Sequence, residues 1–126
     1  MDPRDQGARR NLGAAAEELA AAYLRLRGCE ILARNVHIAG GEIDLVARRG
    51  HWLYLIEVRF RSTRGFGHPA ETVQGRKARA LARAARAYVS RFRGEATCWR
   101  LDVVTLFLST EGRLEIRVIP GAVPLS

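Results

Sequence analysis

Leu12, Ala16, Leu19, Tyr23 and Leu26 recur at steps of three and four residues, the spacing of one face of a helix, and predict a helix over residues 11–27 with Gly28 as its stop. Residues 29–37 (CEILARNVH) read as a strand, and Gly40-Gly41 as the turn after it. EIDLVAR (42–48) and WLYLIEVRF (52–60) read as two further strands, joined through Arg49-Gly50-His51. A glycine-rich basic loop over 61–69 follows, then a helix from about residue 76 to 92, a strand over 97–108, a turn at Glu111-Gly112 and a last strand over 113–119. Pro120, Gly121 and Pro124 end the regular structure. Residues 1–10 are polar and without apolar periodicity, and are expected to be a disordered tail before one domain over 11–126. Helix, three strands, helix, two strands is the order of a single α/β domain, a mixed central sheet flanked by helices.

The second hairpin carries the most specific chemistry. With a two-residue loop at Gly50-His51, Arg49 pairs with Trp52, and antiparallel pairing then sets Asp44 opposite Glu57 and Glu42 opposite Arg59. Alternation puts those four side chains on one face, and Ile43, Leu45, Ala47, Tyr54, Ile56 and Val58 on the other. Like charges directly opposed cost up to ~1 kcal/mol in exposed sheet. The cost rises as water is excluded, and both acids sit among apolar neighbours. A divalent cation removes the repulsion; Mg²⁺ is typically held by one or two carboxylates with waters and a substrate phosphate. Asp44 and Glu57 therefore read as metal ligands in a site for a phosphodiester. The same spacing also fits a solvated polar face with Arg59 bridging Glu42 and Glu57, and a different loop length would shift the register.

Composition widens the case for a polyanionic partner. The net charge is +8, almost all of it from arginine, with Lys77 the only lysine. A basic domain attracts nucleic acid, although a genome rich in arginine codons would also produce such a surface. Arg76, Arg79, Arg83 and Arg86 form a row on the second helix, opposite Ala78, Leu81, Ala85, Tyr88 and Phe92. Such a row can track a phosphate backbone, whereas any one of these arginines reads better as solvated surface. Arg61, Arg64 and Phe66 in the glycine-rich loop suit phosphates and an unstacked base. Cys29 and Cys98 lie beside apolar residues, without zinc spacing, and read as buried reduced thiols. His37, His51 and His68 show no ligand spacing. Asp102, in an apolar strand, reads as structural, paired with Arg100 or a neighbouring backbone group. No catalytic triad and no glycine-rich phosphate loop is present. No apolar run approaches the ~18 residues of a membrane span. The N-terminus has no signal-like apolar core, and a cytoplasmic location is expected.

The stretch GGEIDLVARRGHWLYLIEVRFRS resembles the bacterial YraN family of predicted nucleases. The likeness extends to LGAAAEELAAAYLRLRG, ARN (33–35), FGHPAETVQGRK and RLDVV (100–104), covering about residues 12–120. It implies a restriction-endonuclease-like fold with an αβββαβ core, related to archaeal Holliday-junction resolvases. By position it implies Asp44 and Glu57 as Mg²⁺ (or Mn²⁺) ligands, Glu17 assisting through water, and Lys77 at a basic position opening the second helix. The superfamily's Glu-x-Lys lysine is replaced by Arg59, which stays protonated, cannot be a general base, and is expected to contact the scissile phosphate. The resemblance thus implies a metal-dependent endonuclease acting on DNA, with branched DNA and a homodimer following from the resolvase relationship. A nucleic-acid-binding module without catalysis, or a protein-interaction scaffold, are the other readings.

Overall fold

The computed structural model describes the backbone of residues 3–62 and 75–121 and the side chains of 12–62 and 75–121. Its elements are α1 (Pro3–Leu26), β1 (Glu30–Ile38), β2 (Gly41–Arg49), β3 (Trp52–Ser62), α2 (Gly75–Phe92), β4 (Cys98–Leu108) and β5 (Leu114–Ile119). The strands lie in the order β1-β2-β3-β4-β5. All neighbours are antiparallel except β3 and β4, which run parallel because α2 crosses between them. This is the mixed-sheet, αβββαβ arrangement of the restriction-endonuclease-like fold, with β5 added at the edge.

α1 begins at Pro3, inside the stretch expected to be a tail. Proline suits a first helical turn, and residues such as Gln6, Ala8 and Arg9 favour helix without giving it an apolar face. Hydrophobic periodicity cannot detect such a segment. The helix ends as expected at Gly28 (φ 89°), where the Cys29 N–H returns to the Leu24 carbonyl at 3.0 Å.

The face that α1 buries differs from the expected one. Ala16, Ala20, Ala21 and Leu24 meet the sheet, whereas Leu12, Leu19 and Leu26 are 49%, 44% and 88% exposed. Alanines let the helix axis approach the strands closely, so the small side chains, not the long ones, mark the contact. They pack on Leu45, Ala47, Ile56, Val104 and Leu106. Each of the larger residues contributes about 2 kcal/mol by leaving water. On the other side α2 covers Val46, Leu53, Leu55, Leu101 and Val103 with Leu81, Ala84, Ala85, Tyr88 and Val89. Phe92, expected on that buried face, is 55% exposed at the helix end and tilts against Tyr88.

Three local corrections bear on the site. The first turn is Ala39-Gly40, both at positive φ, closing a two-residue hairpin on the Ile38↔Gly41 pair. Gly41 is already strand, and a Cβ there would collide with the Ala80 carbonyl, so glycine lets α2 sit down on β2. Ile43 joins the α2-side core rather than the α1 side. The rungs Arg34↔Leu45 and Val36↔Ile43 flank the left-handed Asn35 (φ 51°), and this twist breaks the regular alternation of faces. Neither cysteine is deeply buried: Cys29 is half-buried and Cys98, at the uncovered start of β4, is exposed. Among the described residues no helix is long and apolar enough to cross a membrane.

Candidate functional site

The β2–β3 ladder has the register that a Gly50-His51 loop dictates, running from Arg49↔Trp52 to Leu45↔Ile56. One step further it would pair Asp44 with Glu57. There the backbone rungs stop and the Asp44 side chain takes over, its Oδ2 accepting the Val58 N–H at 2.8 Å. The Asp44 and Glu57 carboxyls lie close enough for each to act on the other's protonation. Burial, then the Glu57 charge, pushes the Asp44 carboxyl up to about 7, against the opposing pull of the Val58 N–H. Glu57 is only 6% exposed.

α2 closes this pocket from above. Lys77 extends from its first turns and brings Nζ to 2.8 Å from Glu57 Oε1. Glu42, Asp44, Glu57, Lys77, Ala80 and Leu81 line a cavity of about 280 Å³. Glu42 lies opposite His37 on β1, with His37 Nε2 at 3.7 Å from its Oε1. Arg59 stands half-buried on β3, two positions beyond Glu57 and on the same side of the strand.

Glu17 approaches from α1. It is half-buried, while its neighbour Glu18 faces solvent and pairs with Arg34. Burial raises the Glu17 carboxyl, a hydrogen bond from the Asn35 side chain opposes this, and the charges of Glu42 and Glu57 raise it further. Asn35 is thus both the left-handed residue that twists β1 and the partner that holds Glu17. Asparagine tolerates positive φ, and its place in the ARN triplet (33–35) was the available signal for it.

A model of the Uncharacterised protein family UPF0102 matches residues 16–106, a span containing Glu17, Asp44, Glu57, Arg59 and Lys77. The chain belongs to the UPF0102 family. It is 42% identical to the UPF0102 protein of Symbiobacterium thermophilum over 113 residues, covering 90% of this chain and 96% of that one. It is 53% identical to the Carboxydothermus hydrogenoformans protein over 81 residues, covering 64% and 69% of the two chains. With the Moorella thermoacetica protein the identity is 44% over 116 residues, covering 90% and 96%.

In this UPF0102 chain the two residues expected to ligate a metal, Asp44 and Glu57, lie together, and the Glu57 charge is felt by Glu17. Among the described residues no group of three or more His, Cys, Asp or Glu side chains forms a cage. The donor set is two carboxylates, which suits a hydrated hard cation rather than zinc. Lys77, expected to bind nucleic acid, stays 65% exposed along its side chain while its ammonium reaches Glu57 in the carboxylate pocket. Arg76, Arg79, Arg83 and Arg86 are exposed along α2 as expected, although Arg83 Nε also donates to the Ala39 carbonyl at 2.7 Å and ties α2 to the first turn. Arg61 is half-buried and donates to the Phe60 carbonyl at 2.8 Å. Arg64, with Phe66 and His68, lies outside the described residues. Asp102 is structural: Arg100 donates to both its oxygens, at 2.7 and 3.0 Å, and the Gly121 N–H donates to Oδ1 at 2.9 Å.

Proposed function

We propose that this UPF0102 protein is a Mg²⁺- or Mn²⁺-dependent endonuclease hydrolysing phosphodiesters in DNA. One observation carries the reading: two carboxyls from adjacent strands, Asp44 and Glu57, line one pocket, where burial and the Glu57 charge push Asp44 up to about 7. Lys77 offsets one of the two negative charges, and a divalent ion would relieve the cost that remains. Asp44 and Glu57 would hold the ion, which would supply Lewis acidity and acidify its bound water.

The remaining groups divide the other tasks. Arg59 stays protonated and offers a planar fork to a phosphate, matching charge that builds up as the bond breaks. Lys77 brings from α2 the amine that position 59 lacks, and a lysine can exchange a proton where an arginine cannot. Glu17 orients water at the edge of the pocket. The exposed α2 arginines and Arg61 carry flanking phosphates. Branched DNA and a symmetric dimer follow from the resolvase relationship alone.

A second reading, binding without cleavage, draws on the same ion pair: Lys77 already neutralises Glu57 and could be a permanent substitute for a metal. Incubation with branched and single-stranded DNA, with Mg²⁺ or Mn²⁺, separates the two. Cleavage that is lost in Asp44→Asn and reduced by about 10- to 100-fold in Lys77→Met supports the enzyme. Salt-dependent DNA binding with no cleavage under either metal supports the module. Cleavage that survives Asp44→Asn refutes the site.

A further inference from the structure

A second cavity lies on the opposite side of the sheet from the carboxylate pocket, beneath the C-terminal end of α1. It has a volume of about 570 Å³. Leu24, Ile56 and Val104 form its apolar floor, and Arg27, Arg49 and Arg117 stand at its exposed rim. Arg49 reaches over from β2 until its Nε is within 3.8 Å of where a Gly28 side chain would begin. Burial pushes the half-buried Cys29 thiol on the cavity wall up, and the Arg49 charge opposes this.

The charge balance of this wall is one-sided. Asp102 is the only acid among the described lining residues, and Arg100 and the Gly121 N–H already occupy it. Among the described residues no ion pair engages Arg27, Arg49 or Arg117. Three guanidinium groups therefore converge on a concave surface that offers them no carboxylate. The wall also presents flat faces. Arg27 lies over the Tyr23 ring at 4.9 Å, and Arg100 lies over the Tyr54 ring at 5.2 Å. An apolar floor, stacked planar walls and a cationic rim suit a ligand with a flat ring at one end and a multiply charged anion at the other. The volume falls within the range of small-ligand sites.

We propose that this cavity binds a nucleotide: a phosphate ester carrying a planar base, either free or at the end of a nucleic-acid strand. The arginines on the rim take the phosphate and the base enters between the floor and the aromatic wall. Nothing in this site depends on Asp44 or Glu57, so it stands apart from the proposed nuclease chemistry.

The test is calorimetric titration of the full chain, without divalent metal, with thymidine 5′-monophosphate, a 5′-phosphorylated thymidine dinucleotide and the same dinucleotide lacking the phosphate. Saturable binding of the phosphorylated probes is expected, at least about tenfold weaker for the unphosphorylated one. The Arg49→Gln/Arg117→Gln double variant, altered only at exposed side chains, is expected to keep its melting temperature and bind about 10- to 100-fold more weakly. Asp44→Asn is expected to bind like the parent. Preference for the monophosphate marks a free nucleotide as the ligand; preference for the dinucleotide marks a strand end. Absence of saturation at millimolar probe, equal affinity with and without the phosphate, or unchanged affinity in the double variant overturns the proposal.

Discussion

Ile56 and Glu57 are neighbours on β3, yet they face opposite sides of the sheet and belong to opposite electrostatic worlds. Glu57 faces α2, where acids crowd together and Lys77 pairs with Glu57. Ile56 forms the floor of the α1-side cavity, where arginines gather and the single acid is already engaged. Each face is covered by its own helix and apolar cluster, and the carboxylate field reaches the α1 side only at Glu17 among the residues described above. Alternation along a strand is thus enough to build a cation-seeking pocket and an anion-seeking cavity from consecutive residues. The two sites also differ in construction. The carboxylate pocket stores unfavourable charge in buried groups, whereas the arginine cavity carries its charge on exposed side chains, where water limits the cost.

The largest effect that separates the faces is on catalysis. Asp44→Asn is expected to lower DNA cleavage by on the order of 10²–10³-fold, the loss usual for removing a group that stabilises developing charge. Nucleotide affinity on the α1 side should be unaltered. Loss of both properties in kinetic and calorimetric assays of the same preparation would mean that the faces are coupled.

Next comes Gly41→Val, which targets the α2 face alone. A side chain there meets the Ala80 carbonyl and the Ala84 methyl, and α2 must lift to admit it. A loss of about 2–3 kcal/mol is expected in chemical denaturation. Lifting α2 also withdraws Lys77 from Glu57, so cleavage should fall in the folded fraction, while the α1-side cavity keeps its shape. A variant as stable as the parent would show that β2 and α2 are not in the close contact that makes glycine necessary.

The third effect is on pH dependence. In the folded, metal-free protein the Asp44 carboxyl is raised to about 7 from an ordinary value of 3.8. An acid whose folded value is raised contributes stability that is fully present below its unfolded value and is lost as pH rises through the folded one. Stability should therefore decline between about pH 4 and 7 through this group. Asp44→Asn, with no proton to lose, should remove that decline and gain about 1–2 kcal/mol at pH 8, partial access of water keeping the gain below that of full burial. A variant inactive in cleavage yet more stable at alkaline pH is the signature of a site kept for function at a cost in stability. Added Mg²⁺ should stabilise the parent and leave the variant unchanged.

How far the sequence foretold these two faces depends on the range of the interaction. The Asp44–Glu57 encounter was legible because a two-residue loop fixes the register of a hairpin, and five rungs obey it. The strands and α2 were legible because their apolar residues keep period. The burial of α1 was not, because its contact is made by Ala16, Ala20 and Ala21, which carry little hydrophobic signal, while the conspicuous Leu12, Leu19 and Leu26 face outward. The role of Lys77 was hidden for another reason. It lies twenty residues beyond Glu57, and its position follows from how α2 docks across β2 and β3, a matter of Gly41 and helix packing rather than of local pattern. The arginine cavity was invisible altogether, since Arg27, Arg49 and Arg117 come from three separate elements and share no spacing.

The smallest effect concerns two adjacent acids on α1. A helical wheel places Glu17 beside the buried stripe and Glu18 further round, and the structure agrees: Glu17 is half-buried against Asn35, Glu18 exposed against Arg34. An exposed pair of that kind contributes about 0.5 kcal/mol or less. Glu18→Gln should therefore change neither unfolding nor cleavage beyond that margin. Glu17→Gln keeps the side-chain volume and a hydrogen-bonding partner for Asn35, so it too should unfold almost as the parent does. Its effect should surface in the metal titration instead, as an apparent Mg²⁺ affinity for cleavage weakened by about tenfold, the usual consequence of altering a group that orients a metal's surroundings. Equal responses from both substitutions would mean that the difference in burial has no functional weight, and that α1 serves the sheet only as a cover. A loss confined to Glu17→Gln would assign α1 a part in the chemistry of the opposite face, reached around the twisted end of β1 at Asn35.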